Sequence, residues 1–448
     1  MAKRSLETGK QGMVATSQPL ASKIALDVLK QGGTAVDAAI AGNAALGLME
    51  PHMCGVGGDL FTIVWDANTQ KLHGLNASGR SPRGLCYDIL KKRLQDEKHD
   101  KIPVEGLLPV SVPGAVDGWF SLHQRFGCLP LSSLFEQVIK YAEEGFRLTP
   151  VIAGEWNQYS DKPSLSSIGD FHQVYRPDGL APAEGDLFRN PQLAETYRVI
   201  LEEGKRGFYE GELAQRIDKF MSEHGGYLSR ADLVAHKSEW VDPVSVKYRG
   251  YDIFELPPNT TGMAALQMFK LMEGFDLSNR IEPDPESIHL MVEAKKLAFE
   301  DRARFYADPD FNPAPIEKLL SDEYNDIRRA GISDRAANLV SAGDQFLQKG
   351  DTVYLTTADA NGNMVSLIQS IFHPFGSGVV VPGTGFALQN RGLLFSMDPS
   401  HANVYAPNKR PFQTIIPAFV MHQGKPHMSF GVMGGATQPQ AHAQIIIN

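Results

Sequence analysis

Two pairs of strand-forming segments, each joined by a short turn, lie in the last hundred residues and limit the folds open to this chain. In the first pair, residues 352–358 are β-branched and aromatic, and residues 365–369 have the character of a return strand. Asn361-Gly362 lies in the turn between them. Asn-Gly between two such runs is a strong hairpin signal, so the pair predicts two adjacent antiparallel strands.

A second hairpin is predicted further along the chain. Residues 415–421 and 427–433 form its strands, and Gln423-Gly424 forms its turn. Gly434-Gly435 follows, and a helix is predicted from about Gln438. The C-terminal part should therefore be a chiefly antiparallel sheet whose last strand leads into a helix.

Helical patterns dominate the region before these hairpins. Apolar residues recur every four positions in a helix that opens near Ser17 and closes at Gly32-Gly33. An alanine-rich helix with little side-chain bulk follows up to Pro51, and we expect it deep in the core. Residues 287–306 form a strongly amphipathic helix that should cover one side of a sheet.

The composition is that of an ordinary globular protein. The 448 residues are 42% hydrophobic and 21% charged, which excludes a disordered or low-complexity chain. The 43 Lys and Arg residues against 52 Asp and Glu residues give a net charge of −9. Nucleic-acid binders normally carry a basic excess, so we expect no nucleic-acid partner.

Nothing in the chain as given predicts export or membrane insertion. No apolar stretch follows the basic residues near the N-terminus, and no run of about 18 apolar residues occurs anywhere. Three cysteines are too few for a disulfide framework. We therefore expect a cytoplasmic protein with no membrane partner. The apolar end at residues 445–448 predicts that further strands and helices follow in the native protein.

Several common catalytic and binding motifs are absent from the sequence, among them G-x-S-x-G, the P-loop and H-E-x-x-H. The glycine-rich turn at residues 55–59 precedes a strand, whereas a dinucleotide site needs strand, turn and helix in that order. His422 and His427 flank a turn without a carboxylate or cysteine at metal-ligand spacing. We expect no metal and no cofactor.

Seven separate blocks of the sequence resemble the γ-glutamyltransferase family, in the family's order. They are GMVATSQPLA at 12–21, GGTAVDAA at 32–39, EPHMCGVGG at 50–58, VPG at 112–114, DANGNMVS at 359–366, PNKRP at 407–411 and Gly434-Gly435. The resemblance covers nearly the whole chain.

This resemblance implies an N-terminal-nucleophile hydrolase that is made as one chain and cleaves itself. Aligned on the block at residues 359–366, the cut falls between Asp351 and Thr352. It leaves residues 1–351 as a large subunit and residues 352–448 as a small subunit. The implied fold is α+β, a four-layer αββα sandwich of two mainly antiparallel sheets. Hairpin strands with apolar residues on both faces agree with such a sandwich.

The resemblance also implies that Thr352 is the nucleophile for a small-molecule amide substrate. No histidine is positioned in the sequence to act as its base with confidence, but a free α-amino group has a pKa of about 7.7–8.0 and supplies one. Ser370 matches a hydroxyl position beside the nucleophile. Gly434-Gly435 matches the oxyanion hole, and a turn before a helix presents backbone N–H groups suited to that role. A plain strand-to-helix turn is the alternative for this pair.

The substrate grip departs from that of the family's peptidases, which hold a γ-glutamyl group with an Arg for its carboxylate and an Asp for its amino group. In the same register, the Arg position falls on Ser78 and the Asp position on Leu394. A buried Leu cannot bind an ammonium group. An Asn near the nucleophile becomes Phe372, and a Ser-Ser pair becomes Gln413-Thr414.

Asn390-Arg391-Gly392 instead resembles the branch of the family with acylase-like and oxamate amidohydrolase members. Arg80 or Arg391 would then clamp a substrate carboxylate through paired hydrogen bonds. Asn390 and Thr414 complete the predicted substrate site. A structural role for Arg391 at the sheet edge stays open.

Three functions remain in competition at this point. The first is an autoprocessed hydrolase or acyltransferase for γ-glutamyl compounds such as glutathione. The second is an amidohydrolase for another carboxylate-bearing amide, oxamate-like or of the acylase type. The third is an unprocessed relative that binds without catalysis. The sequence does not decide the substrate, or whether the chain forms a homo-oligomer.

Overall fold

The computed structural model describes residues 6–166, 168–277, 284–337 and 351–448. The sequence of residues 333–351 is polar and predicts an irregular segment, most of which lies outside the described residues. The strands are β1 (Gly12–Ala15), β2 (Asp59–Asp66), β3 (Lys71–Ala77), β4 (Phe146–Arg147), β5 (Leu187–Phe188), β6 (Glu239–Val241), β7 (Val244–Tyr248), β8 (Tyr251–Glu255), β9 (Asp351–Asp359), β10 (Met364–Phe372), β11 (Ala418–His422) and β12 (Lys425–Phe430).

Helices fill most of the chain between these strands. They are α1 (Pro19–Lys30), α2 (Ala35–Met49), α3 (Tyr87–Asp96), α4 (Ala115–Phe126), α5 (Leu131–Glu144), α6 (Pro150–Ser160), α7 (Phe171–Tyr175), α8 (Pro191–Glu203), α9 (Lys205–Tyr209), α10 (Glu212–Glu223), α11 (Arg230–Val234), α12 (Gly262–Met272), α13 (Pro285–Phe305), α14 (Ile316–Leu319), α15 (Asp322–Arg329) and α16 (Gln438–Ile447). None of the helices in the described ranges has the length and apolarity needed to span a bilayer.

Two antiparallel sheets form the centre of the molecule. The six-stranded sheet has the order β1-β9-β10-β2-β3-β6, and the four-stranded sheet has the order β12-β11-β8-β7. The predicted first hairpin is β9-β10, which lies in the middle of the six-stranded sheet, and the second is β11-β12. The neighbours of β9 and β10 are β1 and β2 from the beginning of the chain, whereas the neighbour of β11 is β8 from its middle.

The layers stack as helices, sheet, sheet, helices. Phe61, Ile63 and Ile368 of the six-stranded sheet meet Phe419 of the four-stranded sheet in the apolar layer between the two. Helices α1, α2 and α4 pack on the outer face of the six-stranded sheet, and α5 and α8 pack over them. Helix α12 packs on the outer face of the other sheet, and α13, expected to cover a sheet directly, packs against α12 and α16 instead. The predicted four-layer αββα sandwich is confirmed.

Local signals account for the two N-terminal helices. The side chain of Gln18 caps α1 by accepting from the N–H groups of its first turn, and Thr34 and Asp37 form a capping box at the start of α2. Every residue of α2 is buried, as its alanine-rich sequence predicts. Without bulky side chains this helix packs directly against α1 and β9.

The second hairpin is shorter than predicted, because residues before Ala418 leave the sheet. The N–H of Gln413 donates to Asn259 O at 2.8 Å, and the N–H of Ile416 donates to Gln438 Oε1 at 3.0 Å. Side-chain and loop partners thus replace the ladder there. At the other end, β12 stops at Phe430, before the predicted Met433.

We expect a chain cut before Thr352 to stay assembled, because β9 and β10 are hydrogen-bonded to β1 and β2 on either side. Fragments 1–351 and 352–448 should elute together from a native gel-filtration column and separate only in denaturant. The uncut Thr352→Ala chain, at the same elution volume, is the control. Independent elution of the two fragments without denaturant contradicts this expectation.

Candidate active site

Thr352 lies one residue into β9, with its side chain on the face that meets the four-stranded sheet. Side chains alternate along a strand. Tyr354 packs in the layer between the sheets and the hydroxyl of Thr356 is hydrogen-bonded to Ser429 of β12, so Thr352 shares their face. Thr352 is 1% exposed, and its Oγ1 has no hydrogen-bond partner among the described residues. A buried hydroxyl without a partner is what a nucleophile awaiting substrate requires.

A β-bulge lies directly opposite Thr352. Val353 pairs with Gln369 and Asp351 pairs with Phe372, so two residues of β10, Ser370 and Ile371, face Thr352 alone. Ser370 Oγ accepts from the N–H of Phe372 at 2.8 Å, and Phe372 has a φ of 79°, which is uncommon for a bulky residue. The bulge therefore places Ser370 beside Thr352, as the resemblance implies.

Asp59 continues this row across the sheet. Asp59 is the first residue of β2 and pairs with Ser370 of β10. Because adjacent strands are about 5 Å apart and β9 is two strands from β2, Asp59 lies roughly 10 Å from Thr352. Gly58 permits this approach, because a Cβ there would lie 2.5 Å from the carbonyl oxygen of Ser370. A carboxylate thus stands in the same row as the candidate nucleophile.

The carboxylate of Asp59 is fully buried and accepts three hydrogen bonds. Oδ1 accepts from the N–H of Gly79 at 2.9 Å and from Gln389 Nε2 at 2.8 Å, while Oδ2 accepts from Gln413 Nε2 at 2.7 Å. Burial raises the pKa of Asp59 to about 6, against the opposing effects of the Arg391 charge and these hydrogen bonds. Asp59 is therefore charged at neutral pH.

Arg391 is fully buried near this carboxylate. Its Nη1 donates to Thr414 Oγ1 at 3.1 Å, and the guanidinium lies 4.8 Å from the centre of the Phe372 ring. Its Nε and Nη2 have no partner among the described residues. Burial lowers the pKa of Arg391 to about 9, although the charge of Asp59 opposes the shift. A charged guanidinium with unused donors is prepared to receive an anion.

Arg80, the other predicted clamp, is occupied elsewhere. Its Nη1 donates to Asp308 at 2.9 Å and its Nη2 donates to Asp310 at 2.6 Å. A guanidinium already neutralised by two carboxylates has little attraction left for a substrate carboxylate. The structure therefore argues against Arg80 as a clamp and favours Arg391.

Asn390 is also engaged by the protein itself. Its side-chain oxygen accepts from the N–H of His373 at 3.1 Å, and its amide nitrogen donates to Val104 O at 2.8 Å. Both ends of the amide hold neighbouring loops, so Asn390 supports the site rather than contacting substrate. Thr414 likewise orients Arg391 through its hydroxyl.

Gly434 and Gly435 form the turn that leads from β12 towards α16. Both have positive φ, 118° and 58°, which favours glycine at these positions. Within the described residues their N–H groups donate to no other group. Helix α16, which follows them, is tied to β8 by a buried pair in which His442 Nδ1 lies 2.7 Å from Glu255 Oε1. The turn thus offers free donors on an anchored element.

Leu394 borders a cavity of about 230 Å³. Leu393 and Phe395 add apolar lining. The charged or titratable side chains around the cavity are Asp100, Lys101, Asp398 and His401. The Leu394 side chain cannot pair with an ammonium group, as expected from the sequence. In the part of the chain described, no cluster of three His, Cys, Asp or Glu residues could hold a metal ion.

The family model described as gamma-glutamyltranspeptidase matches residues 21–448. The chain belongs to the γ-glutamyltranspeptidase family.

Individual relatives place it among that family's hydrolases. The glutathione hydrolase-like YwrD proenzyme of Bacillus subtilis is 36% identical over 98% of this chain and 81% of its own length. The oxamate amidohydrolase proenzyme of Klebsiella pneumoniae is 33% identical over 97% of this chain and 81% of its own length. Both relatives are named proenzymes, which supports processing of the chain.

A solved structure gives the same assignment. The cephalosporin acylase from Bacillus halodurans superposes with a TM-score of 0.92 at 42% identity, covering all of this chain and 82% of its own. The chain is therefore an enzyme of the N-terminal-nucleophile hydrolase type. The predicted similarity to the acylase and oxamate amidohydrolase branch is confirmed.

Sequence reasoning missed Asp59 and Gln389, and it noted Gln413 only as a replacement for a serine. One signal was available, because Asp59 heads an otherwise apolar strand. A carboxylate in that position must be buried, and a buried carboxylate needs hydrogen-bond donors or a cation. The identity of the donors was not accessible, since Gln389 and Gln413 lie more than 300 positions away.

We expect Arg80→Met to destabilise the protein without affecting substrate selectivity, because the buried carboxylate of Asp308 loses one of its partners. The loss should be about 1–3 kcal/mol in the free energy of unfolding, measured by urea denaturation. Arg206→Met is the matched control, since it removes a largely exposed ion pair with Glu210 and should cost less than about 1 kcal/mol. Unchanged stability with a raised KM for a carboxylate-bearing amide would reinstate Arg80 as the clamp.

Proposed function

We propose that this enzyme cleaves itself before Thr352 and then hydrolyses, or transfers the acyl group of, small amides that bear a carboxylate but no α-amino group. The observation that carries the proposal is the buried guanidinium of Arg391, whose Nε and Nη2 are unused, close to the row that holds Thr352. Hydrolysis of γ-glutamyl compounds such as glutathione is the competing function within the same family.

Thr352 is proposed as the nucleophile, with its own α-amino group as the base. Its Oγ1 attacks the amide carbonyl carbon and its proton passes to the amine. The C–N bond then breaks, and the leaving amine takes that proton. A water, or an acceptor amine in a transfer, attacks the resulting ester and releases the acyl group. The base needs no histidine, because the amine is largely neutral slightly above pH 8.

The tetrahedral intermediate needs donors for its oxyanion, and Gly434 and Gly435 are proposed to supply them. Their N–H groups have no other acceptor among the described residues, and their positive φ values hold the turn open. Donors fixed in advance stabilise the developing charge without reorganisation. Ser370 Oγ, beside Thr352 at the bulge, is proposed to orient the nucleophile.

The acyl group is proposed to be held by its carboxylate and by its carbon chain. Its carboxylate would pair with Arg391, whose orientation is set by Thr414 and by the ring of Phe372. Its carbon chain would contact the apolar wall around Leu394. Leu394 itself offers no anion to an α-ammonium group at the position where the family's peptidases carry an Asp, so γ-glutamyl groups should bind less well.

Processing is tested by denaturing electrophoresis and sequencing. Purified protein should give two bands, and the smaller fragment should begin Thr-Val-Tyr-Leu. Thr352→Ala should give one full-length band without hydrolase activity, while Thr356→Ala, on the same strand and face, should still be cut. A single full-length band from the unaltered chain would favour the non-catalytic relative, and a fragment with another first residue would show that the proposed cleavage position is wrong.

Substrate preference is tested with two anilides that differ only in the amino group. The kcat/KM for glutaryl p-nitroanilide should exceed that for γ-glutamyl p-nitroanilide by about 10- to 150-fold, since one charge-assisted hydrogen bond is worth roughly 1.5–3 kcal/mol. Arg391→Met should remove a comparable factor from glutaryl anilide and spare valeryl anilide, which has no carboxylate. A preference for the γ-glutamyl compound would show that another residue supplies the anion.

The same preference should depend on pH in a defined direction. Arg391 loses its charge as the pH rises through about 9, so the advantage of glutaryl over valeryl anilide should fall above that pH. Both rates should rise towards pH 8 as the Thr352 amine loses its proton. An advantage that persists well above pH 9 would contradict the lowered pKa of Arg391, and the comparison with Arg391→Met would then decide its role as the clamp.

A further inference from the structure

We infer that Asp59 is a positioning residue that orients Arg391 and so determines recognition of the substrate carboxylate. This inference rests on the proposed function of Arg391. It adds a role for a residue that, as placed here, would not contact the substrate.

The carboxylate of Asp59 joins the two segments that carry the clamp. One oxygen accepts from Gln389 Nε2, and Gln389 precedes Arg391 by two residues. The other oxygen accepts from Gln413 Nε2, and Gln413 adjoins Thr414, the hydrogen-bond partner of Arg391. Asp59 thus fixes both the residue that presents the guanidinium and the residue that orients it.

Asp59 also lies in line with the proposed nucleophile across three adjacent strands of the sheet. It pairs with Ser370, which lies at the bulge opposite Thr352. The distance between the clamp and the nucleophile is therefore set through one carboxylate at the start of β2. Specificity for acyl length requires such a fixed distance, because the carboxylate and the scissile carbonyl must be reached together.

The charge of Asp59 matters as well as its hydrogen bonds. Among the described residues, Asp59 is the group whose charge favours the protonated form of Arg391 against the cost of burial. Thr414 and Phe372 contact the guanidinium but carry no charge. Without Asp59, the buried guanidinium would lack a counter-charge and would lose either its position or its proton.

Few titratable groups face Asp59 from the surrounding elements. The charge of Arg391 lowers the pKa of Asp59, and the charge of Asp59 contributes to the raised pKa of Tyr209 in α9. Gly79, Gln389 and Gln413 supply neutral donors. A titration of substrate selectivity near pH 6 would accordingly report Asp59 itself, whose pKa burial raises to about 6.

The test compares Asp59→Asn with Asp66→Asn. Asp66 lies at the other end of the same strand, where its carboxylate binds Asn68 and Thr69 in an exposed turn. An Asn at position 59 keeps the size of the side chain, but its NH₂ group cannot accept from a glutamine. We measure kcat/KM for glutaryl and valeryl p-nitroanilide from pH 5 to 8 on the processed enzymes.

In Asp59→Asn, the preference for glutaryl over valeryl anilide should fall at least about tenfold, chiefly through KM, with valeryl hydrolysis changed less than about threefold. The unaltered enzyme and Asp66→Asn should lose the glutaryl preference below about pH 6. In Asp59→Asn the preference should not change further as the pH falls through about 6. An unchanged preference in Asp59→Asn overturns the inference. An equal loss on both substrates also overturns it, because a merely structural role would act in that way.

A second variant covers the case in which Asp59→Asn is not processed. Gln413→Met keeps the charge of Asp59 and the length of the side chain at position 413, but it removes the hydrogen bond from Gln413 Nε2 to Asp59. It should lower the glutaryl preference while leaving self-cleavage intact, and an unchanged preference overturns the inference. Failure of the proposed function is recognised separately, because the unaltered enzyme would then show no glutaryl preference at all.

Discussion

The antiparallel pairing of β9 with β10, interrupted once opposite Thr352, is the interaction on which both the fold and the site depend. The hairpin occupies the middle of the six-stranded sheet, so it joins the end of the chain to its beginning. The interruption leaves Ser370 and Ile371 of β10 opposite the single residue Thr352 of β9. A regular ladder would hold the sheet together equally well but would not create this arrangement. The proposed nucleophile is therefore positioned by a local irregularity in an otherwise continuous sheet.

The two candidate arginines show how burial and pairing separate a binding residue from a structural one. Arg80 is satisfied by Asp308 and Asp310, and Arg410 reinforces the same corner by donating its backbone N–H to Asp308 at 2.7 Å. Arg391 is more deeply buried, yet within the described residues it makes one hydrogen bond, and Asp59 acts on it through its charge. Folding does not usually leave donors of a buried guanidinium unused, because the cost in desolvation is large. Such a residue is best explained by a ligand that completes it.

The proposed site combines the residues that the family resemblance assigns to catalysis with an altered acyl-binding end. Those residues are Thr352, Ser370 and the glycine turn, and α16 behind the turn is fixed by the buried pair of Glu255 and His442. At the other end, Leu394 stands in place of an acid and borders a cavity with both apolar and charged lining. The relatives named as an acylase and an oxamate amidohydrolase agree with an acyl pocket that differs from that of the glutathione hydrolases. In the proposed function, the chemistry at the carbonyl is separable from recognition of the acyl group, since different strands and loops carry the two sets of residues.

The sequence by itself determined the features that depend on neighbours along the chain. Both hairpins, the capped helices and the position of Thr352 at the head of a strand follow from local turn, capping and periodicity signals. Only the tertiary structure decided which of the two arginines, Arg80 or Arg391, is not already paired with carboxylates of the protein. The carboxylates that occupy Arg80 lie 228 and 230 positions away, and the glutamines that hold Asp59 lie 330 and 354 positions away. Hydrogen bonds and charges act through space, so their partners are assigned by the packing of the two sheets and not by any spacing that the sequence displays.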